Sequence, residues 1–307
     1  MPSASQINTI PAATIEKTRR EPAHFPPTVD PPRGVLKATG DHGSAFFHQR
    51  LVPPPQLATF VQHLWYVQWD LRAAAPSTAE TLPHPNCYLV FEHDLERTID
   101  DAGVHRRTEV FGVSTGKFSR TLQGHGRVFG LKFKPGGLRP FLHAPVFTLT
   151  NRVVPAVQIF GPGILALATQ FRVLDTPETM AAAAVAYFAP CLPAPHPNTT
   201  LATKLVDTIL HDPTVLTVEA LAERSGFSIR ALQRLFKAYV GASPKWVIRR
   251  YRLHELLERL NSNQDMNVAQ LALELGYADQ AHLINDFRKL AGFTPSEYRS
   301  SKTLPHL

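Results

Sequence analysis

The chain has 307 residues, 44% hydrophobic and 19% charged, a composition that suits two soluble globular domains and excludes a disordered or fibrous protein. Its formal charge of +7 and pI of about 9.5 favour a polyanionic partner. Two cysteines, Cys87 and Cys191, exclude a disulfide framework and a cysteine-based zinc site. The N-terminal stretch lacks the apolar core of a signal peptide and the best apolar runs are too short for a bilayer, so a cytoplasmic protein is expected, with no membrane partner.

Residues 1–42 carry "FPPTVDPPRG" and little apolar periodicity, and read as a disordered tail. Residues 43–195 read as an α+β domain with a mixed or β-rich core. In "PPPQLATFVQHLWYVQWD", Leu57, Phe60, Val61 and Leu64 fall on one helical face behind a run of prolines, which predicts a helix. "CYLVFEH", "HRRTEVFGV" and "RVFGLKFKP" read as strands; in the last, Phe129, Leu131 and Phe133 alternate with Val128, Gly130 and Lys132. "GILALATQFRVL" and "TPETMAAAAVAYFAP" return to a helical pattern. "PCLPAPHPNTT" reads as a linker, which puts the domain boundary between residues 195 and 196.

Residues 196–307 are all-helical by pattern. Leu201, Leu205 and Ile209 share one face of the first helix. Thr217 can cap the next, and Gly226 can stop it. After Ser228, a second cap, two stripes run side by side: Leu232, Leu235, Phe236 and Tyr239 are apolar, and Arg230, Gln233, Arg234 and Lys237 are long polar donors. Ser243 and Pro244 then open a helix to about Leu260, with Leu253, Leu256, Leu257 and Leu260 on its apolar face. Arg249, Arg250 and Arg252 at its start either touch phosphate or keep it soluble. The plan then repeats as "VAQLALELGY", "DQAHLINDFRKLAG" and "TPSEYR", with a capping box from Thr294 to Glu297. Leu232, Phe236, Trp246, Leu283 and Phe287 are expected in the core.

A helix, a glycine turn and a helix with a polar outer stripe make a helix-turn-helix, whose second helix fits the major groove. Successive major grooves on one face of B-DNA lie about 34 Å apart. An 18-residue helix spans roughly 27 Å, so two reading heads joined by one helix can reach adjacent turns. The 196–307 segment is expected to fold and bind DNA by itself.

Residues 199–300 resemble the DNA-binding domain of the AraC family of bacterial transcription regulators. The resemblance rests on "LAERSGFSIRALQRLFKAYVGASPKW" and "LALELGYADQAHLINDFRKLAGFTPSEYR". "LPHPNCYLVFE", "VFGVSTG" and "GLKFKPGG" resemble an uncharacterised domain found ahead of this module in one subgroup. The resemblance implies an all-α C-terminal domain of two helix-turn-helix motifs on a long linker helix. It implies double-stranded DNA as partner, with RNA polymerase, a small-molecule effector and a second copy of the chain as further partners. The N-terminal domain would sense a small molecule, dimerise, or both. The DNA-facing positions carried over are Arg230, Gln233, Arg234 and Lys237 in the first copy, and Gln280, Ala281, Ile284, Asn285 and Arg288 in the second.

The second copy departs from the family pattern: Asn285 stands where Arg is frequent, and Ile284 matches Gln233. Arg230 and Arg234 can pair with guanine and Gln233 with adenine, whereas Ala281 and Ile284 offer only apolar contact to thymine methyls. Gln280 is then the second head's best reader, with Arg288 and Lys289 on phosphate. The alternative is an enzyme or DNA-repair-type module fused to a DNA-binding domain. Cys87 lacks the cationic or metal-bound setting of an activated thiolate. His84, His93, His105 and Glu92 lack a tight His-x-His spacing. No catalytic residue, metal or cofactor is therefore assigned, and the effector-binding residues are not identified.

Overall fold

The computed structural model describes residues 35–38, 45–95, 106–262 and 267–303. The reading of 1–42 as a tail falls outside these save for 35–38, and His105 also lies outside them.

The N-terminal half begins with β1 (Val35–Ala38), β2 (Phe46–Leu51), β3 (Val61–Leu71), β4 (Ser77–Thr81), β5 (Tyr88–Asp94), β6 (Arg106–Phe111), β7 (Phe118–Leu122), β8 (Gly124–Phe133) and β9 (Val153–Pro155). Six of them form an antiparallel sheet in the order β2-β3-β8-β5-β6-β9, and β1-β4-β7 form a smaller antiparallel sheet. The short helices α1 (Val157–Phe160) and α2 (Gly163–Gln170) come next, then α3 (Pro177–Phe188).

The helix expected over "PPPQLATFVQHLWYVQWD" is a correction. Residues 55–60 make a turn, closed by Leu57 N to Pro54 O and Val61 N to Leu57 O, and the chain then runs extended as β3. The spacing of Leu57, Phe60, Val61 and Leu64 spans the end of a turn and the start of a strand, both of which face one core. From His63 the aromatic, β-branched run pairs with β2 on one side and β8 on the other, and that tertiary pairing overrides the local pattern.

The two faces of the large sheet differ. One carries Leu51, Leu64, Tyr66, Leu89, Phe91, Phe129, Leu131 and Phe133 into the main core with α2 and α3. The other carries Trp69, Val90 and Val128, with Trp65, Val67, Tyr88 and Leu122 of β7 packed against them, on the side of the small sheet. The two indoles lie flat on β8 because Gly126 and Gly130 stand there; a Cβ at either would come within 2.4 Å of a ring.

The C-terminal half is α4 (Pro197–His211), α5 (Val218–Ser225), α6 (Ile229–Leu235), α7 (Pro244–Asn261), α8 (Val268–Glu274), α9 (Gln280–Ala291) and α10 (Pro295–Thr303). The main core runs without a break from the sheet through Ala202, Leu205, Val206 and Ile209 of α4 to Leu221, Leu232, Phe236, Val240, Val247 and Ile248. A second core joins Leu253, Leu256, Leu257 and Leu260 of α7 to Leu271, Leu283, Phe287 and Tyr298, and takes in Leu36 and Leu82. The segment read as a linker contains a 3-10 turn at Ala189–Cys191. His196 then caps α4, its Nδ1 accepting from Asn198 N.

Candidate nucleic-acid interface

The first helix-turn-helix is built from local signals. Thr217 Oγ1 accepts from Ala220 N at 3.0 Å to start α5, and Gly226 ends it at φ 72°, a left-handed backbone that a side chain would strain. Ser228 Oγ accepts from Ala231 N to start α6. Leu232 and Phe236 are wholly buried and hold α6 to the core. Arg230, Gln233 and Arg234 are exposed on the opposite side.

Beyond α6 the helix widens to a π turn, Phe236–Val240, closed by Gly241 N to Phe236 O. The extra residue in this turn rotates the next stretch of chain relative to α6. Lys237 is exposed and lies over the Phe147 ring, 5.2 Å from its centre. The fourth position carried over in this head therefore leans on the N-terminal half.

The second head repeats the plan with different capping residues. Asn267 Oδ1 accepts from Ala269 N and Gln270 N, and Asp279 Oδ1 from His282 N at 2.7 Å. Gln280, Ala281, Asn285, Arg288 and Lys289 are exposed and Ile284 is half-buried. Asn285 Oδ1 accepts from Arg288 Nη2 at 3.2 Å, so this short amide is already bonded to its neighbour. Leu283 and Phe287 are buried, as expected, whereas Trp246 is only partly buried, under a guanidinium.

The arginines opening α7 are each engaged within the chain, and only Arg250 is buried. Arg249 pairs with Asp286, which is 9% exposed and also accepts from Tyr277 OH at 2.9 Å. Arg250 is 2% exposed, lies 4.6 Å from the Trp246 ring centre and donates through Nη2 to Thr115 O at 2.7 Å; burial lowers its pKa to about 10. Arg252 packs over Tyr277. They tie the linker helix to the second head and to the sheet domain. Asp286 is the residue that sequence reasoning missed. It sits between Leu283 and Phe287 on the inward stripe, and a carboxylate buried there needs a paired cation and a hydrogen-bond donor, supplied by Arg249 and Tyr277.

Other side chains singled out in the sequence have structural settings. Burial pushes the Cys87 thiol up to about 12, away from a reactive thiolate. His84 stacks on His254, His93 Nε2 bonds to Ala168 O, and Glu92 pairs with Arg120. Among the described residues there is no group of three or more His, Cys, Asp or Glu placed to hold a metal.

Comparison with known proteins matches residues 221–301 to a helix-turn-helix domain and residues 49–155 to a domain of unknown function (DUF6597). The probable transcription factor PqrA of Proteus vulgaris is 31% identical over 102 residues, covering 33% of this chain and 83% of PqrA. The transcriptional activator RhaS of Escherichia fergusonii is 33% identical over 84 residues, covering 27% of this chain and 30% of RhaS. A putative AraC-like transcription regulator of Streptomyces lividans is 33% identical over 89 residues, 29% of each chain. The match thus spans most of PqrA but under a third of the other two.

Proposed function

The chain belongs to the AraC family of transcription regulators, and from that premise we propose that it grips two adjacent major grooves of double-stranded DNA through α6 and α9, under the control of its N-terminal half. It is a DNA-binding regulator and not an enzyme. The observation that carries the proposal is the pair of exposed polar helix faces on α6 and α9, which precede and follow one 18-residue helix, each backed by a buried apolar stripe.

The heads are unequal. Arg230 and Arg234 are the guanine readers and Gln233 the adenine reader of the first, a good bidentate pair discriminating by about 1–3 kcal/mol. Gln280 leads the second, where Ala281 and Ile284 touch thymine methyls, Asn285 is a minor contact, and Arg288 and Lys289 sit at phosphates. The division into 43–195 and 196–307 is kept as a functional one: the first unit senses a small molecule, pairs two copies, or both, and the second binds DNA and meets RNA polymerase. No helix among the described residues is long and apolar enough to cross a membrane, and the cytoplasm, where the DNA is, is the compartment this reading assigns.

Randomised-site selection on the full chain tests it. The expected product is a bipartite site with half-sites about one helical turn apart and the sharper base preference in the half contacted by α6. Uniform binding to all sequences would overturn the proposal.

A further inference from the structure

The face of the large sheet turned towards the small sheet carries a row of side chains that packing does not account for. Strand register puts His63 of β3, Lys132 of β8 and Tyr88 of β5 side by side. The next row on the same face holds Arg50, opposite Trp65, with Gly130 beyond it. His48 stands opposite Val67 in the row after that. Side chains opposite one another in antiparallel strands share a face, so these groups converge.

Lys132 is 8% exposed. Among the described residues it has no ion pair or hydrogen bond, although a buried ammonium ordinarily takes both. Burial, then Arg50, lowers its pKa to about 7. The charges acting on His63 are Lys132, Arg50 and His48, all of one sign. Two carboxylates on this face lie elsewhere: Glu92 is engaged by Arg120, and Glu109 stands on β6 opposite Val90, two strands from Lys132. A third, Asp94, is at the far exposed end of β5, opposite Gly126. The indole Nε1 of Trp65, lying over Gly130 and so beside Lys132, is buried without a hydrogen-bond partner. The opposing small sheet has mostly short side chains in its middle strand, Ser-Thr-Ala-Glu-Thr, all half-buried, its carboxylate Glu80 being held by Lys117, and Trp65, Val67, Tyr88 and Phe111 are themselves only partly covered.

A buried cation with no ion pair among the described residues, an orphaned N–H donor and aromatic walls under a thin cover are complementary to one class of molecule. We propose that this face binds a small organic carboxylate, its charged group on Lys132 and the Trp65 N–H, and its apolar body against the Trp65 and Trp69 rings. The site rests on the reading of the N-terminal half as a small-molecule sensor and names what it senses.

The test uses the full chain, with tryptophan fluorescence and calorimetry as readouts. The probes are acetate, hexanoate, benzoate and 1-naphthoate, the neutral amide of each, and inorganic phosphate. At least one carboxylate with an apolar body should bind and change the indole emission, at least tenfold more tightly than its amide and than phosphate. Lys132→Met should abolish that preference over the amide. Trp65→Phe, which keeps a ring and removes the donor, should weaken binding severalfold while circular dichroism stays unchanged. Failure of every carboxylate to bind, equal binding of acid and amide, phosphate binding as tightly as the organic acids, or wild-type affinity in a folded Lys132→Met chain would each overturn the proposal. Site selection on the same preparation separates the two levels: a bipartite DNA site without carboxylate binding removes this inference and leaves the DNA-binding reading standing, whereas loss of the DNA site removes that reading.

Discussion

Arg234 and Asn285 occupy matching places in the two heads, yet one is a guanidinium on an exposed face and the other a short amide already bonded to Arg288. Arg234→Ala should therefore weaken binding by about 1–3 kcal/mol and relax base preference in one half-site, and Asn285→Ala should cost clearly less. Lys289→Ala should weaken all sequences alike and flatten the salt slope, since a phosphate contact releases counterions without reading a base. Titrations of the three variants at several salt concentrations check this; a larger loss of base preference from Asn285→Ala would reverse the order of the heads. Lys132 yields a prediction of the opposite kind. Its folded pKa of about 7 lies below the ordinary 10.5, so between those values the unfolded chain holds a proton that the folded chain lacks, and stability rises with pH across that window. The cost of burial is greatest below pH 7, on the order of several kcal/mol, and disappears above 10.5. Lys132→Met should accordingly raise the melting temperature at pH 6–7, and the gain should shrink as pH climbs towards 10, by scanning calorimetry. At this scale the exposed polar stripe of α6 was legible because residues three and four apart share a helix face and the apolar stripe beside it turns inward. The arginines of α7 were not, because their partners, Asp286 and Thr115 O, are far away in the chain and a sequence pattern carries no such distance.

Between residues and the whole stand the elements, and α9 shows how one is held. Its own cap, Asp279, and its inward leucine and phenylalanine are local features, but Asp286 bolts it to α7 through Arg249 and to the turn before it through Tyr277 OH. Asp286→Ala would leave the Tyr277 hydroxyl buried without its acceptor and Arg249 without its counter-charge. The loss of stability should be about 2–4 kcal/mol, concentrated in the second head. Hydrogen exchange should show α8 and α9 losing protection while α5 and α6 keep theirs; uniform loss would mean that the bond is not specific to that head. The capped helices were readable in advance, down to Ser243 and the reciprocal bonds of Thr294 and Glu297, because caps are short-range chemistry. β3 was misread as a helix, and β1, β2, β4, β7 and β9 were not read as strands. A strand is stabilised by neighbours that lie far off in sequence, and Ser-Thr-Ala-Glu-Thr has no alternation to reveal it. The π turn after α6 has no sequence signature of its own; it is visible only in the bond from Gly241 N to Phe236 O.

In the whole molecule the division at 195/196 is one of pattern, whereas the packing is continuous. The main core passes from the sheet into α4 and the first head, and polar ties cross with it: Arg250 to Thr115 O, Thr203 Oγ1 to Pro135 O, and Thr150 Oγ1 to Gly241 O. Thr115 lies in the loop between β6 and β7, one strand from each sheet, so Arg250 links the linker helix of the DNA-binding half to the loop that joins the two sheets. Such a tie runs from α7 to a loop that touches both sheets. It also separates two kinds of stability. The helices of 196–307 have their own caps and a second core, so that fragment should fold and bind DNA, with affinity falling steeply in salt. It should melt below the full chain because Val240, Ala242 and Ile248 lose cover. Arg250→Met keeps the stem that packs beside Trp246 and removes the donor. In the full chain it should cost about 1.5–3 kcal/mol, the worth of a charged hydrogen bond in a buried setting. In the fragment, where Thr115 is absent, it should cost nothing or stabilise slightly. Paired denaturant titrations of both lengths, wild type and variant, measure the difference directly. An equal loss in the fragment would mean that Arg250 acts through Trp246 alone, and that its bond to Thr115 O adds nothing to the joining of the two halves.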